Sequence, residues 1–527
     1  MNWFLGLDNS TQSLSSLLIS LHTGEVFARY SVDFDTDLPG YDLVQGVLPG
    51  PTALVKHSDP LAWVSALELL FQRMVDDGVD MGRIKAISGS AQQHGTVYLK
   101  KSFSELDSAD VKTPSLVPVI KDMLSRRTSP IWMDSSTTAE CHEIANETGG
   151  YGYVQRKTGS VPVERFSGPQ IRKFYKEEPE KYEKTSKIHL VSSFMASLLT
   201  FRDAPIDYGD GAGMNLMDIE KGQWVPDILE ATAPGLREKL PQLSGSGRKV
   251  GRISEYFIRN FGFSEDTDVV SWSGDNNNSL IGVGGWSPET VVVSLGTSDT
   301  CFSAMSQPHV DPAGYGHVFG NPAGGYMGLS CFKNGSLARE KVKEAHELSW
   351  DQFDELILEK TCAGNEKNMM LPFFVPEITP AVLDAQPVYR GSDEFVGGRD
   401  PAAAVRAVVE AQALSMRYHS SWLRNATSVL RVTGGASRSL GMCRVLADVF
   451  QVSVERLEVE NSAALGAAMR AAQACGMEEW RSLTEKFCHV SAEEIIEPVT
   501  ENARAYEHML PQFVELLAET LDTSQRG

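Results

Sequence analysis

The same strand-turn-strand pattern opens two distant stretches of this chain, and that repetition restricts the folds open to it. Phe4 to Asp8 reads as a short buried strand, Asn9-Ser10-Thr11-Gln12-Ser13 as a turn, and Leu14 to Ser20 as a returning strand before Thr23-Gly24 turns again. Near the middle, Thr290 to Leu295 is an apolar strand, Gly296-Thr297-Ser298-Asp299 a small polar turn, and Thr300 to Ala304 the strand back. Each half therefore begins with a hairpin whose tip is rich in hydroxyls and free amides. Consecutive N–H groups of small residues can converge on one oxygen, so such tips can nest an anion. Any single hairpin has a polar tip. Two tips in equivalent places are better explained by a nucleotide phosphate clamped between two lobes.

Strands alternate with helical stretches such as Asp59 to Val75 and Pro401 to Ser420, which makes each half an α/β domain. A chain of 527 residues is too long for one core. Gly282, Gly284, Gly285 and Pro288 cluster near residues 280 to 289, placing the seam there and giving domains of 1–285 and 286–527. Lys100 to Ser129 is polar, holds two prolines and has no sustained period, and so reads as a surface insertion. Asn502 to Leu521 carries Tyr506, Met509, Leu510, Phe513, Leu516 and Leu517 at helical spacing, the pattern of a packing helix. Glu460 to Ala472 runs through small residues, which predicts a thin helix packed backbone-close, against its partner domain at a hinge.

Lys+Arg 48 against Asp+Glu 69 leaves a net charge of -21, which disfavours nucleic acid and anionic membranes as partners. Any bound phosphate has to be held locally, by backbone amides or a few cations. The N-terminus lacks the basic start of a signal peptide, Asp8 interrupts its apolar run, and no segment approaches the length of a membrane span. The seven cysteines are scattered without a close pair, which fits reduced thiols in a cytoplasmic protein and neither a disulfide framework nor a zinc site.

The stretch Ser273-Gly274-Asp275-Asn276-Asn277-Asn278 follows the strand-like run Asp268 to Trp272 and puts one acid among small polar residues. By itself Gly-Asp-Asn most often makes an Asx-turn. A carboxylate at a strand end can also act as a base, with room around it for a polyhydroxylated ligand. Ser88 to Gly95 ends a strand with Gln92, Gln93 and His94, whose donors and acceptors suit sugar hydroxyls, His94 being able to bridge two of them. Arg165 stands in a turn before the helix Gln170 to Tyr175, and Trp132-Met133-Asp134 places a carboxylate after an aromatic. Thr433-Gly434-Gly435-Ala436-Ser437 lies between a strand and the helical run Leu440 to Phe450. That is either a tight turn that needs glycine anyway or a platform for adenine or ribose at a helix N-terminus. Neither a Walker A pattern nor a spaced GxGxxG occurs.

Taken together these residues resemble the FGGY carbohydrate kinases over nearly the full length. The likeness is carried by Gly6 to Ser13, Gln92 to Gly95, Trp132 to Ser136, Asp210 to Asn215, Gly274 to Asn276, Ser294 to Thr300, Cys331 to Ser336 and Thr433 to Ser437. The resemblance implies two actin-like, ribonuclease H-type domains with a nucleotide and sugar cleft between them, the first binding the sugar and the second ATP. It implies Asp275 as catalytic base and Asp8 as the carboxylate that helps hold Mg²⁺. It assigns phosphate contacts to Ser10, Thr11, Gln12, Gly296, Thr297 and Ser298, and the adenosine side to Trp350, Gly434, Gly435, Ser437 and Arg438. Relatives often carry Asn or His where Arg438 stands. Gln93, His94, Arg165, Asp275 and Asn276 fall where the sugar is contacted.

The expected activity is then ATP-dependent phosphorylation of the 5-hydroxyl of D-xylulose. Ribulose, fuculose and glycerol remain alternatives, though glycerol kinases typically carry an Arg-Glu pair where Gln93-His94 stands. A different class, an actin-like ATPase or a sugar sensor without turnover, would have no need of Asp275 beside a hydroxyl-binding pocket. The expected partners are the sugar and ATP.

Overall fold

The computed structural model describes residues 2–106, 112–423, 427–457 and 459–524. The chain divides into two compact units: Met1–Trp286 with Val318–Met327 and Glu460–Cys488, and Ser287–His317 with Gly328–Val459 and His489–Gly527. The first unit thus takes in two stretches that a division at 285/286 gives to the second half.

In the first unit, Trp3–Asn9 pairs antiparallel with Ser13–Ser20, which pairs antiparallel with Glu25–Asp33. On its other side Trp3–Asn9 lies parallel to Ile84–Ala91, beyond which Asp268–Val270 continues in parallel and Lys249–Arg252 antiparallel. The second unit repeats this order. Thr290–Leu295 is antiparallel to Asp299–Met305 and parallel to Val429–Thr433, beyond which Ser453–Arg456 is parallel and Ile495–Ile496 antiparallel. The two hairpins read from the sequence are thus the start of two copies of one sheet topology.

Near-continuous apolar strands demand cover on both faces. In the first unit Pro60–Asp76, started by its Asp59 cap and Pro60, lays Leu67, Leu70 and Phe71 on the sheet. The other cover is the helix Ser462–Ala474. A Cβ built on Gly6 would meet the Ala464 carbonyl oxygen at 1.9 Å, one on Gly282 the Ser462 oxygen at 1.9 Å, and one on Gly466 the Asn278 oxygen at 1.9 Å. The thin helix therefore packs backbone-close, as its small residues require, and its fully buried Arg470 pairs with buried Asp207 at 3.3 Å and donates to Asn278 Oδ1 at 3.1 Å.

In the second unit Pro401–Ser420 and Leu440–Phe450 bury their apolar faces, and the C-terminal helix Thr500–Ser524 adds Tyr506, Met509, Phe513, Leu516 and Leu517 to the core. The Tyr506 hydroxyl donates to Glu410 Oε1 at 2.8 Å, and the same oxygen holds Arg406 at 2.7 Å, so the buried carboxylate is paired with a buried cation.

Residues 107–111 of the expected surface insertion lie outside the described residues. The rest of Lys100–Ser129 is not merely superficial: Phe103, Leu116, Ile120 and Met123 join the first unit's core. Glu68 anchors it, accepting from the Leu116 N–H at 2.6 Å, the Ser115 hydroxyl at 2.9 Å and the Tyr256 hydroxyl at 2.7 Å. Short elements around two prolines left no period to read. No helix among the described residues is long and apolar enough to cross a membrane.

Candidate active site

Asp275 is placed by the end of a strand and the start of a helix. Ser273-Gly274 rejoins the sheet opposite Ser90 and Ala91, and the extended backbone of Gly274 caps the eight-residue helix Asp275–Gly282. The Asx-turn reading of Gly-Asp-Asn is therefore replaced by a helix N-terminus. A side chain at 274 is excluded, since its Cβ would stand 2.6 Å from Gln93 Cγ.

One oxygen of Asp275 is fixed. Oδ1 accepts from the Asn276 backbone N–H at 2.7 Å and the Asn276 side-chain amide at 3.0 Å, and the same amide donates to Gln93 Oε1 at 2.8 Å. Gln93 in turn donates to Asn277 Oδ1 at 3.1 Å. Both polar atoms of Gln93 are thus engaged by the protein, making it a bracket that orients Asn276. Among the described residues nothing hydrogen-bonds Asp275 Oδ2, which remains available to a ligand.

Three carboxyls here titrate unusually high. Burial lifts Asp275 to about 7, with the Asp8 charge adding to the rise and the Asn276 N–H opposing it. Burial raises Asp8 to about 6 against the pull of the Ser90 hydroxyl, its cross-strand neighbour. Asp210 is raised to about 8 by burial, eased by the Ser192 hydroxyl and reinforced by the charges of Asp275 and Asp207. Asp8 Oδ1 and Asp210 Oδ1 are buried without a hydrogen-bond partner among the described residues. Perturbed acids of this kind concentrate at functional sites. Asp210 had no distinguishing signal beyond its place in the resembling motif, because its effect depends on folding beside Asp275.

His94 is buried in a left-handed conformation at φ 70° and packs on Phe166 with ring centroids 4.6 Å apart. Its Nδ1 lies 2.8 Å from the Gly213 carbonyl oxygen, which can only accept, so Nδ1 carries the proton and Nε2 keeps its lone pair. Burial, with the Arg165 charge adding to it, holds the imidazole down to about 3. His94 is therefore a neutral ring with one free acceptor, and does not have both nitrogens available to bridge two hydroxyls. The Arg165 guanidinium lies 5.7 Å from the Phe166 ring centroid. Asp134 is fully buried and accepts from Lys56 N–H, Ser136 and Gln170 at 2.6 to 3.0 Å, which makes it a brace of the loop.

At the first hairpin tip the Ser10 hydroxyl closes the turn on the Ser13 carbonyl at 2.9 Å, Gln12 is exposed, and the Thr11 hydroxyl accepts the Trp132 indole N–H at 2.8 Å.

At the second tip Thr297 and Ser298 are exposed, while Asp299 is buried and bridged twice by buried Arg339, at 2.7 and 3.1 Å. Gln412 binds Arg339 at 2.8 Å and donates to the Asn334 and Gly335 carbonyls at 2.7 and 2.9 Å, fixing the tip from below. Gly296, Thr297, Trp350, Gly435 and Arg438 line one cavity of about 520 Å³, within the size range of cofactor sites. Arg339, Asp354 and Ser439 also line it and were not legible in the sequence, since no local motif ties them to the tip. Gly434 and Ser437 shape the turn beside it. Gly434 has φ 91° and no room for a Cβ, which would lie 2.4 Å from the Leu295 oxygen, and the Ser437 hydroxyl donates to the Gly434 carbonyl at 2.7 Å.

Among the described residues no group of three or more His, Cys, Asp or Glu side chains could hold a metal by itself. The buried, unpartnered Asp8 Oδ1 nevertheless suits Mg²⁺, which is commonly held by one or two carboxylates together with substrate phosphates and water.

A duplicated sheet topology, with a perturbed carboxylate at a helix N-terminus in one unit and a cofactor-sized cavity under a polar tip in the other, is the architecture of the actin-like fold class. Residues 3–282 match the N-terminal domain, and residues 291–475 the C-terminal domain, of the FGGY family of carbohydrate kinases. The chain is 41% identical over 487 residues to xylulose kinase 2 of Arabidopsis thaliana, covering 89% of this chain and 86% of that one. It is 40% identical to the xylulose kinase of Rattus norvegicus, covering 89% and 87%. Among solved structures, a xylulose kinase from Rhodospirillum rubrum matches with a TM-score of 0.85 at 20% identity, over 99% of this chain and all of that one. A glycerol kinase from Plasmodium falciparum matches with a TM-score of 0.78 at 16% identity, over 98% of each chain, so the fold is shared by kinases of different sugars and polyols. The chain belongs to the FGGY family of carbohydrate kinases, and its activity is that of an ATP-dependent sugar kinase.

Proposed function

We propose that the chain transfers the γ-phosphoryl group of ATP to the 5-hydroxyl of D-xylulose, giving D-xylulose 5-phosphate and ADP, with Asp275 as the general base. The observation that carries this reading is the pair formed by Asp275, one oxygen anchored and the other free, and His94, a neutral ring with one free acceptor. The named activity of the relatives at 40 to 41% identity supports xylulose as the sugar.

A sugar hydroxyl is too weak an acid to ionise at neutral pH, so its proton passes to Asp275 Oδ2 while its oxygen bonds to phosphorus and the bond to the β-phosphate oxygen breaks. His94 Nε2 accepts a hydrogen bond from one sugar hydroxyl, Arg165 and Asn276 bind others, and Gln93 keeps Asn276 in place. On the nucleotide side Trp350 offers an exposed aromatic face and Gly435 open backbone, while Thr297 and Ser298 supply donors for phosphate. Thr11, flanked by Ser10 and Gln12, supplies the same kind of donor in the first unit. Mg²⁺ bound at Asp8 would neutralise phosphate charge that Asp8 and Asp275 otherwise repel. The seven cysteines, scattered along the sequence without a close pair, support a cytoplasmic setting.

The test is ADP release over ketoses, aldoses and polyols. D-Xylulose gives the highest kcat/KM; a preference for ribulose, fuculose or glycerol overturns the assignment, and sugar-independent ATP turnover overturns the kinase reading itself.

Because Asp275 must be ionised to act, and its proton is held up to about 7, kcat/KM for the sugar falls about tenfold per pH unit below about pH 7. Stability has the opposite slope. The folded unit favours the protonated form, so the contribution of Asp275 is fully present below its unfolded value of 3.8 and is lost as pH rises to about 7. A flat rate profile between pH 5 and 8 contradicts the role given to Asp275.

A further inference from the structure

The first unit has a concavity of about 490 Å³ lined by none of the groups assigned above to the sugar, the nucleotide or the base. It lies where the paired strands Ile206–Asp207 and Leu243–Ser244 lead into the loop that ends at Lys249. Lys187, Arg202, Arg237, Arg248 and Lys249 line it, against two acids, Asp203 and Glu238. Asp203 is already engaged, accepting from the Phe103 N–H at 3.1 Å, the Ser102 hydroxyl and His189. Lys187 donates to the Glu238 carbonyl at 3.2 Å and Lys249 pairs with Asp268 at 2.7 Å.

Arg202, Arg237 and Arg248 are exposed, and among the described residues their guanidinium groups have no ion pair or hydrogen bond. A chain with 69 acids and 48 Lys and Arg has ample means to pair an arginine, so three left unpaired around one hollow form a local positive field in an acidic molecule. Guanidinium groups bind phosphate oxygens in pairs, which makes phosphate the matching anion. The volume exceeds what a bare phosphate fills, and Leu240, Pro241 and Val250 add apolar wall for a carbon skeleton.

The loop that carries Arg248 and Lys249 also reaches the centre of the unit. Its Ser246 hydroxyl donates to buried Asp207 Oδ2 at 2.6 Å, and Asp207 Oδ1 accepts from the Ser273 hydroxyl at 2.6 Å, two residues before Asp275.

We propose that this basin binds a phosphorylated small molecule of sugar-phosphate size, and that its occupancy is transmitted to Asp275 through Ser246, Asp207 and Ser273. The binding stands independently of the reaction, whereas the transmission rests on Asp275 acting as base. Calorimetry on the intact protein with D-ribose 5-phosphate and, separately, inorganic phosphate distinguishes the parts. Ribose 5-phosphate binds the wild type, more tightly than inorganic phosphate does, and loses about tenfold or more in affinity in Arg202→Ala/Arg248→Ala. Equal affinity for the two probes overturns the sugar-phosphate assignment, and equal binding by the double variant overturns the site. Without the probe the double variant turns over like the wild type; with it, only the wild type changes its kcat or KM. An equal response in both proteins, or in neither, overturns the transmission.

Discussion

Asp275→Asn lowers kcat by at least ~10²-fold, the scale of general-base catalysis, while ATP affinity stays close to that of the wild type. The substitution is nearly isosteric, and the Asn side-chain oxygen can still accept from Asn276, so the bracket through Gln93 persists. What is lost is an atom at the Oδ2 position able to take the hydroxyl proton. Removing a charge that Asp8 and Asp210 oppose also relieves the local repulsion, so the variant is no less stable than the wild type. Single-turnover rates and nucleotide titration check both halves of this result. Turnover within a few-fold of the wild type eliminates Asp275 as the base.

Gly466→Ala, one methyl group, destabilises the first unit by about 3 kcal/mol or more, the upper end of overpacking costs, because the clash is with backbone that cannot relax. The new Cβ would lie 1.9 Å from the Asn278 carbonyl oxygen and 2.9 Å from the Gly282 N. Both belong to the helix that begins at Asp275, so either that helix moves or Ser462–Ala474 lifts off the sheet. Chemical denaturation measures the loss, and Gly476→Ala, beyond that helix where a Cβ meets nothing within 4 Å, controls for the entropy of replacing a glycine, with the strain of its positive φ of 65° included. A midpoint for Gly466→Ala equal to that of the control removes the packing argument.

Both predictions concern residues that the sequence brought forward, for different reasons. Hairpins at 4–20 and 290–304 were legible because apolar runs separated by small polar turns have few other solutions. The boundaries of Pro401–Ser420 and Leu440–Phe450 followed from proline and apolar spacing. Long-range partnerships were not legible. Nothing local says that Arg339 will close on Asp299, that the Gly213 carbonyl will fix the His94 tautomer, or that Asp210 will approach Asp275. Each depends on where the sheet brings strand ends together. The same limit explains the insertion, whose buried Phe103, Ile120 and Met123 belong to short elements anchored by one distant residue, Glu68.

The helix Ser462–Ala474 has a consequence for how this protein is made. It covers Gly6 and packs on the helix ending at Gly282, yet it leaves the ribosome about 180 residues after that first stretch is complete. At ordinary translation speeds this is a delay of roughly ten to forty seconds, during which one face of a finished sheet has nothing to lie against. A fragment ended near residue 286 would keep that face bare permanently. The part of the molecule that holds Asp275 is therefore encoded first and completed late.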